Sequence, residues 1–409
     1  VFNGEIYNFK ELRTHLVSRG HAFRTDTDTE VIVHLYEEYG DECIGKLRGM
    51  FTFAIWDERS KKLLLARDRV GIKPLYYSFN SQRFIFASEI KALIADRSVR
   101  RDIDPEGIDR FLTFMYMPGE KTLFRDIVKL DAGHFLTVQN GKVSIRQYWD
   151  LQFEQPAKDI NIEAATTELV NLLGETVRDH MISDVPVGVL LSGGVDSTAL
   201  LSFVVEASEK EVETFTVGFD GRTFADERPY ARLAAQTFGS RHHEMTISAK
   251  EFLDFLPKYV WHMEEPVCEP PAVALYYVSK LASNHVKVLL SGEGGDEAFA
   301  GYQNYRNLMW VERAKRYGWP VTGVLSTLFE HAGRLSGLEK FRKYSCFLRT
   351  PIEDYYYGRT WNPLSAFHGL RTQAYSESSE GTSKMVKALF ERVNKDDILN
   401  RMLYVDSKT

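Results

Sequence analysis

The stretch VGVLLSGGVDS, residues 187–197, constrains the fold of this chain more than any other. Its apolar part, residues 187–191, predicts a buried strand of a parallel sheet. Ser192-Gly193-Gly194 ends that strand, and Asp196 and Ser197 open a predicted helix. Because the two glycines let the backbone turn sharply, the N–H groups of the turn and of the helix start can face one anion, best a phosphate.

The chemistry of this loop distinguishes it from two other phosphate-binding loops. It has neither the lysine of a GxxxxGK[ST] loop nor the glycine spacing of GxGxxG. The six residues 192–197 resemble instead the SGGxDS loop of the ATP-pyrophosphatase superfamily, whose members adenylate a substrate and release pyrophosphate. Asp196 would repel a phosphate, which makes sense if a divalent cation lies between the two. A plain Gly-Ser turn is the alternative interpretation.

A second loop of the same kind follows the apolar run VKVLL, residues 286–290. This loop, SGEGGDE at residues 291–297, also follows a predicted buried strand. Since ligands bind beyond the carboxyl ends of strands in open α/β sheets, we expect both loops to face one crevice. Asp196 and Asp296 would then hold Mg²⁺ on a triphosphate, and Glu293 would serve acid–base chemistry or hold an amine. Taken alone, the second loop could equally be a solvated acidic turn.

The chain divides into two predicted domains of different architecture. Residues 1–150 predict an α+β domain whose strand at 50–56 is apolar at nearly every position, so both its faces should be covered. The polar residues 151–162 are predicted to form a linker. In residues 163–409 strands alternate with helices up to about residue 300, which predicts a doubly wound parallel sheet.

Two helix starts in the first domain carry capping-box signatures. Asn8 with Glu11 predicts the first, and Thr27 with Glu30 predicts the second, which would place Asp28 in the first helical turn. The charge-dense turn at residues 67–73 is predicted to be a solvated loop with no role of its own.

Composition excludes several classes of protein. The net charge of −6 gives no basic field for nucleic acid, and no apolar run approaches the length of a membrane span. Cys43, Cys268 and Cys346 fit neither a zinc motif nor a disulfide framework, which predicts a reducing compartment, the cytoplasm. We expect Cys43 and Cys346 to be packing residues and consider Cys268 a candidate for lining the crevice.

Several motifs together resemble the glutamine-hydrolysing asparagine synthetases. They are SGGVDS at 192–197, TFTVGF at 214–219, SGEGGDE at 291–297, NGEIYN at 3–8, TDTE at 27–30, GMFTFAIW at 49–56, RDRVGIKPLYY at 67–77 and FASEIKAL at 86–93. The resemblance covers nearly the whole chain in the family's order. It implies an Ntn-hydrolase-type αββα glutaminase domain over residues 1–150. A PP-loop domain, similar to adenine nucleotide alpha hydrolases, would follow over residues 163–409.

The resemblance also implies a reaction. In that family a class II amidotransferase domain releases ammonia from glutamine, and a tunnel carries it to the synthetase domain. There ATP and Mg²⁺ activate aspartate as β-aspartyl-AMP with release of pyrophosphate, and ammonia displaces AMP to give asparagine. The implied partners are therefore small molecules, namely ATP, aspartate and glutamine, with no nucleic acid and no membrane. A homodimer is compatible with the sequence, although no motif specifies one.

Carried over by position, the resemblance assigns site residues. The implied ATP site comprises Leu191, Ser192, Gly193, Gly194, Asp196, Ser197, Val217, Ser291 and Gly292. Asp196 and Asp296 would hold Mg²⁺, and Glu293 would contact the acyl-adenylate or the ammonia. The implied glutamine site comprises Asn3, Gly4, Glu5 and Asp28, of which Asn3 and Gly4 would form the oxyanion hole.

One departure from the family pattern leaves alternatives open. The family's nucleophile is an N-terminal cysteine followed by Gly-Ile, and no cysteine of this sequence has that context. The sequence also stops at Thr409, whereas more of the synthetase domain follows in the family, so the chain is expected to be truncated at both ends. It could also amidate another carboxylate, in a surface-polysaccharide or antibiotic precursor. A third alternative is a glutaminase-dead fragment that acts as an ammonia-dependent ligase or a binding module.

Overall fold

The N-terminal part of the chain is built on two antiparallel sheets. The computed structural model describes residues 1–80, 82–153, 161–221, 226–268, 271–357, 360–361 and 379–409. The first sheet has the order β1-β2-β3-β7-β8 and the second the order β5-β4-β6. The strands are β1 Phe2–Ile6, β2 Gly49–Asp57, β3 Lys62–Arg67, β4 Tyr76–Phe79, β5 Phe84–Ala87, β6 Val128–Lys129, β7 His134–Gln139 and β8 Lys142–Gln147.

Helices cover the outer faces of these two sheets. The elements are α1 Phe9–Ser18, α2 Asp28–Tyr39, a 3-10 helix Gly40–Lys46, α3 Ile90–Ile94 and α4 Pro105–Phe114. Helices α1 and α2 pack on one face of the first sheet, around Phe51 and Phe53 of β2. The second sheet covers the other face, where Leu65 packs against Tyr77, and α3 packs on the second sheet through Ile90. The layers therefore run α-β-β-α, as predicted, with both faces of β2 covered.

Neither predicted capping box forms. Asn8 makes no side-chain cap bond; its Oδ1 accepts from the Arg48 N–H at 2.9 Å and its Nδ2 donates to the Lys46 carbonyl at 3.0 Å. Thr27 likewise makes no cap bond, and Glu30 accepts from the N–H groups of the loop that precedes α2. These predictions were wrong because Asn8 and Glu30 bind backbone groups that lie outside their helices.

The turn at residues 67–73 is not the solvated loop that its charges predict. Asp68 is fully buried. Its carboxylate accepts from the N–H groups of Phe51, Ile72 and Lys73 at 2.9–3.1 Å. Arg67 donates to three backbone carbonyls at 2.7–2.8 Å. The charged side chains therefore satisfy backbone groups that would otherwise be buried without partners.

The second half is a doubly wound parallel sheet, as predicted. Its strands are β9 Val187–Leu190, β10 Glu213–Phe219, β11 Arg241–Ile247 and β12 Val288–Leu290, in the order β11-β10-β9-β12. The helices are α5 Ile162–His180, α6 Val195–Ala207, α7 Arg228–Phe238, α8 Ala249–Met263 and α9 Pro271–Ala282. Val177 of α5, Leu201 of α6 and Ala234 of α7 share one core with β9. Helices α8 and α9 pack on the opposite face.

The remaining chain is mainly helical. Its elements are α10 Gly295–Phe299, α11 Gln303–Lys315, α12 Trp319–Ser336, α13 Glu339–Arg349, a 3-10 helix Ile352–Asp354, β13 Tyr356–Tyr357, β14 Thr360–Trp361, α14 Ser379–Phe390 and α15 Ile398–Lys408. These helices share a core with Phe114 of α4. In addition, the Thr382 hydroxyl donates to Asp109 of α4 at 2.6 Å. The C-terminal helices thus pack back on the N-terminal half of the sequence.

Some predictions about connecting segments and cysteines can be compared with this fold. Most of the predicted linker, residues 154–160, lies outside the described residues, so the domain boundary stays a prediction. Cys43 is buried, as expected, and burial raises the pKa of its thiol to about 12. Cys346 is exposed, so its prediction as a packing residue was wrong; α13 turns Ser345 and Leu348 inward instead. Within the described ranges, no helix combines the length and apolarity needed to cross a bilayer.

Candidate functional site

The two glycine-rich loops border one cavity at the carboxyl edge of the parallel sheet. Strands β9 and β12 are adjacent, with Val189 paired to Leu290, so the loops that follow them lie side by side. The cavity has a volume of about 360 Å³. From the two loops, its lining includes Ser192, Gly194, Asp196, Ser197, Ser291, Gly292, Glu293, Gly294, Gly295, Asp296 and Glu297. The structure therefore brings the predicted nucleotide, metal and acid–base residues of both loops to one place, except Gly193, which does not line the cavity.

The first loop is held in shape by its own serines. The Ser192 and Ser197 hydroxyls are 2.9 Å apart, and the Gly194 N–H donates to Ser192 Oγ at 3.2 Å. Gly193 has a φ of +81°, and a Cβ there would lie 2.4 Å from the Ala231 nitrogen. Only glycine meets both conditions, the left-handed backbone and the close approach of α7. The loop is therefore fixed between its serine pair and the start of α7.

The second loop closely approaches Asp196 and Ser197 of the first loop. A Cβ at Gly295 would lie 2.9 Å from Asp196 Cγ, and one at Gly292 would lie 3.1 Å from the Ser197 nitrogen. The absence of side chains at these two glycines lets the loops touch. Asp196 and Asp296 both line the same cavity. This donor set fits Mg²⁺, which takes one or two protein carboxylates and leaves its other positions to phosphate and water.

One wall of the cavity is apolar, and its residues on α9 were not predicted from the sequence. Helix α9 contributes Pro271, Ala274, Leu275 and Val278. Their spacing of i, i+3, i+4 and i+7 places them on one face of the helix, so this apolar face could have been predicted from the sequence. Leu191 and Val217, predicted for the nucleotide site, extend this wall from the sheet. Such a surface can pack against the flat face of a purine base. Glu227 and Tyr302 also line the cavity without having been predicted.

The predicted glutamine-binding residues are grouped in the other half of the chain. Asn3, Gly4 and Glu5 are consecutive on β1, and alternation places Asn3 and Glu5 on the same exposed face. Asp28 begins α2, as predicted, and accepts from the Ile6 N–H at 2.9 Å. Partial burial and the nearby negative charge of Asp28 raise the pKa of Glu5. Asp28 thus lies next to the strand that carries the other three.

Gly4 and the cysteines complete the description of the predicted site residues. A Cβ at Gly4, whose φ is +150°, would lie 2.0 Å from the Met50 carbonyl oxygen, so this strand position requires glycine. Cys268 is exposed and is not among the residues that line the described cavity. Its prediction as a lining residue therefore has no support from this geometry.

Two acidic residues after α8, Glu264 and Glu265, join the halves and were not predicted. The Glu264 carboxylate accepts from the N–H groups of Ile90 and Lys91 in the first half, at 2.8 and 2.9 Å. Glu265 lies 3.4 Å from Lys129 Nζ and 3.5 Å from the Tyr76 hydroxyl. Burial is the largest influence on Glu265 and raises its pKa. Their partners are more than 130 residues away in the sequence, so no local sequence pattern predicts these contacts.

Comparison with known families divides the chain in a similar way. The glutamine amidotransferase domain family matches residues 1–149, and the asparagine synthase family matches residues 168–409. Asparagine synthetase (glutamine-hydrolyzing) 1 of Bacillus subtilis is 35% identical over 417 residues, covering 100% of this chain and 63% of that protein. Asparagine synthetase (glutamine-hydrolyzing) 3 of the same organism is 33% identical, covering 74% of this chain and 51% of that protein. The chain thus corresponds to between half and two thirds of these relatives' length.

Proposed function

The chain belongs to the asparagine synthase family, and from this premise we propose that it catalyses ATP-dependent formation of L-asparagine from L-aspartate. The observation that carries the proposal is the convergence of the SGGVDS and SGEGGDE loops on one cavity. A carboxylate becomes an amide only if its oxygen is converted into a good leaving group. Adenylation does this, and it requires a place for pyrophosphate and a site for a metal ion.

ATP would bind with its base against the apolar wall and its phosphates on the first loop. The N–H groups and hydroxyls of residues 192–197 are the donors for the pyrophosphate portion. Leu191, Val217 and the backbone of Ser291 and Gly292 would surround the nucleoside. Asp196 and Asp296 would hold Mg²⁺, which neutralises negative charge on the departing pyrophosphate.

The proposed reaction has two chemical steps. The aspartate side-chain carboxylate attacks the α-phosphorus of ATP, the bond to pyrophosphate breaks, and β-aspartyl-AMP forms. Ammonia then attacks the acyl carbon, the bond to the AMP oxygen breaks, and asparagine is released after ammonia loses a proton. Glu293 borders the cavity beside both loops, which suits it to hold the ammonium ion or accept that proton.

The first half would supply ammonia from glutamine. Asn3 and Gly4 would stabilise the oxyanion, and Glu5 and Asp28 would bind the amino group of glutamine. The family's catalytic cysteine has no counterpart among Cys43, Cys268 and Cys346. These 409 residues can therefore be assayed with free ammonia as the nitrogen donor. Glutamine hydrolysis is proposed only for a protein that supplies that nucleophile.

A direct assay tests this function. The chain is incubated with ATP, Mg²⁺, aspartate and an ammonium salt, and we expect asparagine, AMP and pyrophosphate in equal amounts. Formation of ADP and phosphate would contradict the mechanism. At a fixed low Mg²⁺ concentration, the substitutions Asp196→Asn and Asp296→Asn should strongly reduce AMP formation, whereas Asp254→Asn at an exposed position of α8 should not. Competition by other carboxylic acids would show whether aspartate is the substrate, because a different preferred acid would inhibit asparagine formation.

A further inference from the structure

Three side chains beside the N-terminal helices direct ligand atoms toward one point. His34 and Glu37 lie on consecutive turns of α2, and His21 lies in the segment that follows α1. His21 Nδ1 is 3.2 Å from His34 Nδ1, and Glu37 Oε2 is 3.0 Å from His34 Nδ1 and 3.7 Å from His21 Nδ1. The three atoms form a nearly equilateral triangle in the half of the chain that carries the predicted glutamine site.

The size of this triangle matches a metal coordination sphere. Zinc binds histidine nitrogen and carboxylate oxygen at about 2.0–2.2 Å, so two ligands of a tetrahedral site lie about 3.3 Å apart. The three separations here lie on both sides of that value. Two imidazoles and one carboxylate form a donor set suited to Zn²⁺ and neighbouring divalent transition metals, and unsuited to Mg²⁺, which prefers oxygen ligands.

The outer nitrogens of both imidazoles face carboxylates. His21 Nε2 lies 3.1 Å from Glu38 Oε2, and Arg19 is paired with the same Glu38. His34 Nε2 lies 3.5 Å from Glu30 Oε1, and Glu30 is itself held by backbone N–H groups. Carboxylates on the outer nitrogens are the usual partners of metal-bound histidines, because they fix the tautomer that leaves the inner nitrogen unprotonated.

That tautomer creates an electrostatic problem which a cation solves. With protons on both Nε2 atoms, the inner point is faced by two nitrogen lone pairs and one carboxylate oxygen. Three electron-rich atoms within 3.7 Å of one another repel unless a proton or a metal ion lies between them. The arrangement of the outer carboxylates and the inner triangle together therefore favours a bound cation.

We propose that His21, His34 and Glu37 bind one Zn²⁺ ion, or a divalent transition metal of similar preference, with water in the remaining position. The two imidazoles are mostly buried, with 14% and 16% of their side chains exposed, and Glu37 is 58% exposed. The ion can thus enter from solvent through the Glu37 side. This site is separate from the nucleotide cavity, and its existence does not depend on the proposed function.

The ion would add a further link between two segments that already meet where Arg19 and His21 contact Glu38 of α2. It would fix the chain after α1 to the middle of α2, the helix whose first residue is Asp28. Zn²⁺ would bind the folded state and not the unfolded state. Such binding shifts the folding equilibrium toward the folded state, so Zn²⁺ should raise the thermal stability of the chain. The role is structural, since no residue of the predicted glutamine site contributes a ligand.

A second histidine and glutamate cluster provides an internal comparison. Glu213, His243 and His285 also lie close enough together to share an ion. There, however, His243 Nε2 makes a direct 2.6 Å contact with Glu213, and the two imidazole rings lie only 4.0 Å apart. A proton in the His243–Glu213 contact satisfies that pair without a metal. The substitution His243→Ala therefore serves as a control for zinc binding at the first cluster.

The test is direct measurement of metal binding to the full chain. Metal-stripped protein is titrated with Zn²⁺ by calorimetry and dialysis, in excess Mg²⁺ and without nucleotide. A parallel Co²⁺ titration is followed by visible absorption. We expect one Zn²⁺ per chain, loss of binding in His21→Ala and His34→Ala, and about 10-fold weaker binding in Glu38→Gln. His15→Ala on α1 and His243→Ala should bind as the wild type does.

Two results would overturn the proposal. The first is that the wild type binds Zn²⁺ no more strongly than the His21→Ala, His34→Ala double variant does. A shared proton would then occupy the point between His21, His34 and Glu37. The other is binding lost in His243→Ala and kept in His34→Ala. If a histidine variant fails to fold, exposed Glu37→Ala replaces it. This variant should bind Zn²⁺ at least about 10-fold more weakly and should lose the Zn²⁺-dependent rise in melting temperature.

Discussion

The Glu264 carboxylate caps the start of a helix 174 residues away, accepting the N–H group of Ile90 at 2.8 Å and that of Lys91 at 2.9 Å. Helix α3 lies in the first half of the chain and Glu264 follows α8 in the second, so the bond crosses between them. Glu264 adopts a left-handed backbone with a φ of +59°, which a non-glycine residue rarely adopts. The strained backbone at Glu264 therefore lies at a contact between the two halves of the chain.

Replacing this cap should destabilise the chain. We expect Glu264→Ala to lower the free energy of unfolding by about 1 kcal/mol, the usual contribution of a capping side chain. Glu264→Gln keeps one acceptor oxygen and should lose less. Urea denaturation measures the effect, with the exposed Glu89→Gln as control. Equal stability of the alanine variant and the wild type would show that the cap contributes nothing.

The first loop should not tolerate a methyl group at Gly193. The substitution Gly193→Ala combines strain from the φ of +81° with a clash against α7. We expect it to reduce AMP formation by at least about 10-fold. Gly221→Ala is a matched control, because its φ is +104° and nothing lies within 4 Å of the added Cβ. If both variants lose activity equally, backbone strain alone explains the loss and the packing of the loop against α7 does not matter.

The apolar wall should affect ATP binding and leave the chemistry unchanged. Leu275 is half-exposed in the cavity, where a nucleotide base would cover it. Leu275→Ala removes apolar contact, so the KM for ATP should rise several-fold, about 1 kcal/mol, at unchanged kcat. Leu253→Ala on the exposed surface of α8 is the control. A fall in kcat with an unchanged KM would contradict a role in binding ATP equally in the ground state and in the transition state.

The carboxylates that face the cavity should set the magnesium requirement. In Asp296→Asn one charged oxygen ligand is lost, and the Mg²⁺ concentration for half-maximal AMP formation should rise by about 10-fold or more. The thermal stability of this variant without nucleotide should be close to that of the wild type. An unchanged Mg²⁺ dependence would remove Asp296 from the proposed metal site.

Glu265 should make stability depend on pH. Its Oε1 has no hydrogen-bond partner among the described residues, and burial raises its pKa above the ordinary value of 4.5. The folded state therefore binds the proton more tightly than the unfolded state does. The stabilisation is complete below the ordinary pKa and is lost as the pH rises through the folded pKa. Urea unfolding across this range should show wild-type stability falling relative to Glu265→Gln, and a constant or rising difference would contradict the prediction.

Local patterns in the sequence predicted the elements that depend on near neighbours. The strand, turn and helix at residues 187–197 follow from apolar runs and glycines, and the second loop follows from the same signals. Their convergence could be expected because parallel strands end at one edge of the sheet. The apolar face of α9 was detectable in the sequence from its helical periodicity. The sequence did not show that this face lines a cavity.

Side chains that satisfy distant groups could not be predicted in this way. Asn8 binds the backbone around residues 46–48 and leaves its own helix uncapped. Asp68 is buried because three backbone N–H groups converge on it. Glu264 acts on a helix 174 positions away. In each case the residue type was ordinary for a loop, and the partner was set by the tertiary fold.

The shared core between α4 and the C-terminal helices affects how the chain can be divided. Phe114 is buried among residues from beyond position 300, and Asp109 is bonded to Thr382. A cut between residues 151 and 160 would therefore break the backbone, but the two fragments would remain packed against each other through this shared core. Expressed separately, the first fragment would present a bare aromatic surface to solvent and the second would lack a helix from its interior. Co-production of both fragments in one cell is the arrangement in which each could acquire its native shape.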